Sequence, residues 1–277
     1  MARCPDAVVD ALRTSAYRVS TDGPEADGTL SWSATTVVVA EAVAGGAVGT
    51  GWTYAANACQ SVIDDQLGEI VVGTDPMDVV GTQEAAVRAC RNLGRPGVVA
   101  CAVSAVDIAL WDLKARLLEL ALTDLLGRSR QVAPVYGSGG FTTYDDGATA
   151  GQLERWVGEL GIHRAKIKIG ESWGSDEQRD LARTALARRV IGGSAELYVD
   201  ANGGYTRKQA VRVGRRLTDE HGVTWFEEPV SSDDLDGLRL VRDRLDLDVA
   251  AGEYGYDEPY FRRMLAAGSV DCLQADV

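Results

Sequence analysis

From about residue 132 the chain repeats one pattern, a short β-branched run followed by an amphipathic helical stretch, and this leaves few possible folds. The strand candidates are APVYGSG (133–139), RAKIKIG (164–170), AELYVDANGG (195–204), GVTWFEEP (222–229), LDVAAGE (247–253) and VDCLQADV (270–277). Helical segments such as DEQRDLARTALARRV, RKQAVRVGRRLTDEH and DLDGLRLVRDRL lie between them. A period of roughly 25 to 30 residues per strand and helix means right-handed parallel βα units. No GxGxxG follows a strand, and GSGGF at 137 does not match it, so a β/α barrel is favoured over an open doubly wound sheet.

The first 130 or so residues read as α+β. ALRTSAYRVS, TTVVVAEAV and AVGTGWTYA are strand-like, with Gly45 and Gly46 as a turn, and TDGPEADGTLSW (21–32) reads as a mobile loop. The cluster Gly45, Gly46, Gly49 and Gly51 lacks a following GK[ST] and helix, so it is read as turns rather than a phosphate cradle. In GVVACAVSAVDIALWDLKARLLEL, Val99, Val103, Val106, Leu110, Leu113 and Leu117 recur at helical spacing, and Trp111 is expected to pack. Gly127 is a C-cap candidate.

The domains expected are therefore a capping domain over 1–130 and a partial barrel over 131–277, in a chain of 277 residues. The barrel is incomplete, with about six of the eight strands. That would leave open edges, so the chain is expected to be a fragment or a truncated gene product.

The strand RAKIKIG puts Ile167 and Ile169 on one face and Lys166 and Lys168 on the other. A strand inside a parallel sheet has no solvated face, so two ammonium groups there have to be paired or used. The other strand ends carry Asp200 and Asn202, Glu227 and Glu228, Glu253 and Asp276. Alternation sets Tyr198, Asp200 and Asn202 together, Glu227 with Trp225 and away from Glu228, and Gln274 with Asp276.

In a barrel these ends converge on one mouth, where uncompensated carboxylates repel. A hard divalent cation resolves the conflict, and with no Cys or His nearby it is expected to be Mg²⁺, or Mn²⁺ in its place. Carboxylate-bound metal beside lysines suits removal of a proton from the carbon next to a substrate carboxylate. The metal then stabilises the enediolate as a Lewis acid, and Lys168 acts as a base made neutral by the nearby Lys166 and metal.

The run KIK, DANGGY, WFEEP, AGE and QAD resembles the enolase superfamily, in particular its mandelate racemase subgroup. SAVDIALWDLKARLLELALTDLLG is similar to the end of that family's capping domain. Members of this superfamily use a Lys or His base with Mg²⁺ on an ene-diolate.

The resemblance implies Asp200, Glu227 and Glu253 as metal ligands, Lys168 as base and Lys166 as the lysine that tunes it and touches the substrate carboxylate. It also implies Asp276 as the acid of an Asp–His dyad on the opposite substrate face, and the segments 21–32 and 51–54 as capping loops. The dyad histidine is missing: His163 and His221 both precede their strands, which places them at the non-catalytic end. Substrate-lining candidates are Asn202, Tyr136, Ser138 and Tyr144.

The expected reaction is dehydration of an acid sugar or racemisation of a 2-hydroxy acid. The alternatives are a muconate cycloisomerase or dipeptide epimerase, against which Asp276 argues because that group carries lysine there, and an inactive metal-binding fragment. The net charge of −13 and pI near 4.7 argue against a nucleic-acid or anionic-membrane partner. The N-terminus has no signal pattern and no apolar run reaches spanning length. Cys4, Cys59, Cys90, Cys101 and Cys272 show no CxxC spacing and are read as reduced, structural thiols. The expected setting is the cytoplasm, with a small carboxylate as partner and a homo-oligomer as the full-length form.

Overall fold

A computed structural model describes residues 7–276, which fall into two units. One comprises the segment up to Ser20 together with Ala34–Val132, and the other comprises Thr21–Ser33 and Ala133–Asp276.

The first unit is built on a three-stranded sheet of order β1-β2-β3, where β1 is Ala11–Ala26, β2 is Ser31–Ala44 and β3 is Ala47–Tyr54. β2 and β3 form a tight antiparallel hairpin closing at Ala44↔Ala47, with Gly45 and Gly46 at φ 55° and 80°. Two successive positive φ values match the twist of the strands, and glycine adopts them without strain. Helices α1 (Ala58–Val62), α2 (Gly68–Val71) and α3 (Val79–Ala89) follow, with a π-helical turn at Ile63–Leu67 between α1 and α2.

α4 (Val98–Leu117) buries Val99, Val103, Val106, Leu110 and Leu113. β3 lies directly on it. A Cβ on Gly49 would come within 2.2 Å of Ala109 O, and one on Gly51 within 2.0 Å of Ala105 O. These two glycines are therefore not turn residues as expected: they let strand and helix backbones touch. α5 (Leu122–Leu126) ends at Gly127 with φ 88°, as the C-cap reading required.

The expected mobile loop at 21–32 is instead mostly strand. β1 runs to Ala26 and β2 starts at Ser31, leaving only a short reversal. Asp27 makes that reversal by accepting the Thr29 and Leu30 amides on Oδ1 at 2.6 and 2.8 Å. Gly, Pro and acidic residues suggest a loop by composition, but one Asx-type turn can serve a long hairpin.

The second unit holds six strands in the order β4-β5-β6-β7-β8-β9, all paired in parallel. They are β4 (Gly137–Gly139), β5 (Arg164–Lys168), β6 (Glu196–Asp200), β7 (Val223–Glu227), β8 (Asp248–Ala251) and β9 (Cys272–Leu273). This is the succession of a TIM-type barrel wall.

The connecting segments are α6 (Asp146–Leu153), a short turn α7 (Glu171–Gly174), α8 (Glu177–Ile191), α9 (Arg207–His221), α10 (Leu235–Arg242) and α11 (Glu258–Ala267). α8, α10 and α11 start on Asp176, Asp234 and Asp257, each accepting a first-turn amide, and α9 starts on a Thr206–Gln209 capping box. Ile167, Val199, Phe226 and Val249 form the layer between sheet and helices with Leu181, Val213, Leu217 and Leu238. Each is at most 4% exposed, so alternation in these strands leaves the other face for polar groups.

Among the described residues no helix is long and apolar enough to cross a membrane. Cys59, Cys90, Cys101 and Cys272 are unbridged, and burial pushes the Cys59 thiol up to about 11. Cys4 lies outside the described residues.

Candidate active site

The face of the second sheet opposite its core carries the charges, and the strand register sets their spacing. Lys166 is level with Tyr198, Lys168 with Asp200, and Asp200 with Glu227. Glu253 joins them from just beyond β8, after Gly252 at φ 147°, where a Cβ would meet Gln274 O at 2.1 Å. Only glycine passes there, so the turn that delivers Glu253 depends on it. One oxygen from each of Asp200, Glu227 and Glu253 lies within 4.8 Å of the others.

The lysines are paired with these acids. Lys166 Nζ donates to Glu227 Oε2 at 2.6 Å and lies 3.7 Å from Asp200 Oδ2, while Lys168 Nζ donates to Asp200 Oδ2. Tyr136 places its ring 5.2 Å from Lys166 Nζ and meets Tyr198 edge-on, and Tyr198 in turn stacks on Trp225. Trp225 Nε1 donates to Glu227 Oε2 at 3.3 Å. Tyr136, Tyr198 and Trp225 thus form an aromatic row beside the ammonium and carboxylate groups.

Burial is the largest influence on every acid of the cluster, and the neighbours decide the outcome. At Asp200 burial works against ionisation, but Lys168 and Lys166 outweigh it and hold the carboxyl below its ordinary value. Burial and the Asp200 charge raise Glu227 despite Lys166, and together they push Glu253 up to about 7. At Lys168 burial pulls downward and Lys166 does too, yet the Asp200 carboxylate prevails and the amine is raised. The direct Asp200 ion pair outweighs Lys166 alone, and the expected neutral lysine rests on Lys166 and a metal acting together. A divalent cation on the carboxylates would offset that attraction.

Glu228 was expected to point away, but it joins the same field. The strand ends at Glu227, Glu228 takes φ 39°, and its 1%-exposed carboxyl is pushed up to about 9 by burial, then by Glu253, Asp200 and Glu227. The following Pro229 was the available signal, since alternation does not extend past the end of a strand.

Asn202 lies beyond β6 at φ 45°; its amide donates to Asp200 Oδ1 at 2.9 Å and its Nδ2 to Glu253 Oε1 at 3.3 Å. Ser138 is exposed on β4, level with Lys166. Tyr144 packs edge-on against Phe141. Asp276 is exposed beyond β9, and among the described residues no hydrogen bond or ion pair joins it to the cluster. His163 directly precedes β5, and His221 ends α9 just before β7, both at the end of the sheet away from the acids.

The donor set fits a hard cation. It consists of carboxylates only, and the buried atoms Glu227 Oε1 and Glu228 Oε1 have no hydrogen-bond partner. Asp200, Glu227 and Glu253 are the residues that could hold it.

Comparison with known proteins bears on this arrangement. Residues 20–127 match the sequence model of the mandelate racemase / muconate lactonizing enzyme N-terminal domain, and residues 148–277 match the enolase C-terminal domain-like model. The chain is 34% identical to D-galactarolactone cycloisomerase of Agrobacterium fabrum, over 75% of this chain and 54% of that protein. The crystal structure of a mandelate racemase/muconate lactonizing enzyme-like protein from Rubrobacter xylanophilus superposes with TM-score 0.93 at 47% identity, covering 97% of this chain and 74% of that one.

L-talarate/galactarate dehydratase from Salmonella typhimurium LT2, solved with Mg and L-lyxarohydroxamate, superposes with TM-score 0.86 at 26% identity, covering 99% and 72%. The chain spans between 54% and 62% of the length of three of the curated relatives it matches. Matched in both its N-terminal and its barrel-forming parts, the chain belongs to the mandelate racemase/muconate lactonizing enzyme family of the enolase superfamily.

Proposed function

We propose that this chain carries the proton-abstracting half-site of an enzyme acting on the carbon next to a carboxylate, with dehydration of an acid sugar as the favoured outcome. The observation that carries the reading is the convergence of Lys168, Lys166 and three carboxylates at one end of the sheet. Asp200, Glu227 and Glu253 would hold Mg²⁺, the ion with which the similar dehydratase was solved. Bound there, the ion supplies Lewis-acid stabilisation of the charge that builds on the substrate carboxylate.

Lys168, its side chain 14% exposed, is assigned the proton-accepting role. It can act once the Asp200 charge no longer holds its own proton in place. Lys166, whose Nζ lies over the Tyr136 ring, is assigned to hold a substrate carboxylate oxygen. Asn202, Tyr136 and Ser138 are assigned to the substrate wall. Asp276, beyond β9, is assigned the opposite substrate face.

The relatives include cycloisomerases as well as dehydratases, and all of these reactions can begin with loss of an α-proton. The capping and barrel parts are taken as 1–130 and 131–277, and the setting as a cytoplasmic enzyme that is a homo-oligomer at full length.

The test is α-proton exchange of galactarate and related acid sugars in D₂O with Mg²⁺, followed by NMR. Exchange is expected from the unaltered chain and is lost in Lys168→Ala, which keeps its Mg²⁺ uptake by calorimetry. Exchange that survives Lys168→Ala, or a folded Mg²⁺-binding chain that exchanges no acid sugar, would sink the proposal.

A further inference from the structure

Residues 24–28 at the tip of the β1–β2 hairpin belong to the same unit as the barrel wall, and one loop of that wall holds them. The Ala26 carbonyl accepts Thr142 N at 2.8 Å and Thr142 Oγ1 at 3.1 Å, and the Asp27 carbonyl accepts the same Oγ1 at 2.9 Å. Thr143 Oγ1 donates to Pro24 O at 2.7 Å, and Trp173 N donates to Gly28 O at 2.9 Å. Gly28 fits against the ends of β5 and β6 so closely that a Cβ would stand 2.5 Å from Ala201 O and 2.8 Å from Ile169 O. Ile169 and Ala201 are the residues immediately after Lys168 and Asp200, so the hairpin tip is part of the wall around them.

The loop that carries Thr142 is itself fastened from behind. Arg183 on α8 is 3% exposed, and its guanidinium donates to Gly140 O at 2.6 Å, Phe141 O at 2.8 Å and Tyr144 O at 3.0 Å. Arg179 Nη2 adds a bond to Thr142 O at 2.9 Å. The Gly140 carbonyl also accepts the backbone amide of Lys168 at 3.1 Å. One buried guanidinium is thus bonded both to the loop that grips the hairpin tip and to the carbonyl that fixes the Lys168 backbone.

We propose that Thr142 and Arg183 are positioning residues: they fix residues 24–28 as a wall of the substrate site without touching the reacting atoms. The functional part of this rests on the α-proton reading above, while the mechanical part does not. A tip that is released leaves the acids and Lys168 in place but loosens the enclosure, so substrate binding suffers and the chemical step does not.

The test compares Thr142→Val, Thr142→Ser and Arg183→Lys by hydrogen–deuterium exchange of peptides spanning 21–33 and 171–175, and by the KM and kcat of galactarate α-proton exchange with Mg²⁺. Thr142→Val removes both hydroxyl bonds, so deuterium uptake at the Trp173 amide is expected to rise about tenfold and KM about tenfold, with kcat within about twofold. Thr142→Ser restores both, and Arg183→Lys, which cannot span three carbonyls, raises deuterium uptake and KM like the valine variant but lowers kcat too, because Gly140 O also holds the Lys168 amide.

Unchanged uptake in Thr142→Val overturns the proposal, as does raised uptake with an unchanged KM, or a serine variant that fails to restore either. If the unaltered chain exchanges no α-proton, the proposed function is what fails. Deuterium uptake across 21–33 then decides by itself whether Thr142 and Arg183 hold the tip.

Discussion

Replacing Asp180 by Asn is expected to remove a pH dependence of stability whose size follows from the structure. Asp180 on α8 is fully buried, accepts the Tyr205 hydroxyl at 2.6 Å and the Glu171 amide at 3.2 Å, and is pushed from 3.8 up to about 6, burial outweighing those donors. Between these two values the folded chain holds a proton that the unfolded chain has lost, so stability falls as pH rises through that window. The full difference corresponds to about 3 kcal/mol, of which about 2 kcal/mol falls between pH 4 and pH 7.

An asparagine does not titrate there. Urea unfolding of both proteins, followed by tryptophan fluorescence at fixed ionic strength, should show the variant gaining about 2 kcal/mol on its parent from pH 4 to pH 7. Comparing the two proteins cancels the other carboxylates. A difference that stays flat within a few tenths of a kcal/mol would show that Asp180 is ionised throughout, with its donors winning over burial, and the reasoning would be wrong.

Glu253→Gln removes one of three clustered carboxylates and is expected to weaken Mg²⁺ uptake in calorimetry at least tenfold while the fold persists. For the unaltered chain, Mg²⁺ at a hundred times its dissociation constant should raise unfolding free energy by about 2.7 kcal/mol, seen as a higher Tm. Gly51→Ala would set a methyl 2.0 Å from Ala105 O and 2.6 Å from Ala109 N. It should cost about 1–3 kcal/mol or more in thermal unfolding, because backbone on both sides has to move. Ala at Gly23, where nothing lies within 4 Å, is the neutral control.

Much of the second unit was legible in the sequence because its two periods are unambiguous. Ile167 and Phe226 face the helices, and Lys166, Lys168, Asp200 and Glu227 take the other side, as alternation in a buried strand requires. Asp200 and Glu227 meet because parallel strands end level, a regularity of topology that needs no coordinates, whereas Glu253 joins them through the turn at Gly252.

What was not legible depends on backbone angles and on contacts distant in sequence. Glu228 returns to the cluster through a positive φ that parity ignores, and the 21–32 segment becomes strand through pairing that its composition does not announce. Gly49 and Gly51 look like turn formers until α4 is laid against them. Arg183 could not be picked out of an arginine-rich helix, because its three acceptors are carbonyls about forty positions earlier and leave no trace in side-chain chemistry. The ion pair between Lys168 and Asp200 was not legible either, because it depends on which oxygen the amine reaches.

The level row formed by Lys168, Asp200 and Glu227 also bears on how such a chain can change. Neighbouring strands sit about 4.8 Å apart because amide ladders hold them there, whatever side chains they bear. The pitch between successive charges is therefore built into the main chain, while the segments that leave each strand end remain free to differ in length and chemistry. Altering those segments would exchange one substrate outline for another without moving the ionic centre, so selectivity and proton chemistry could drift independently across descendants of this fold.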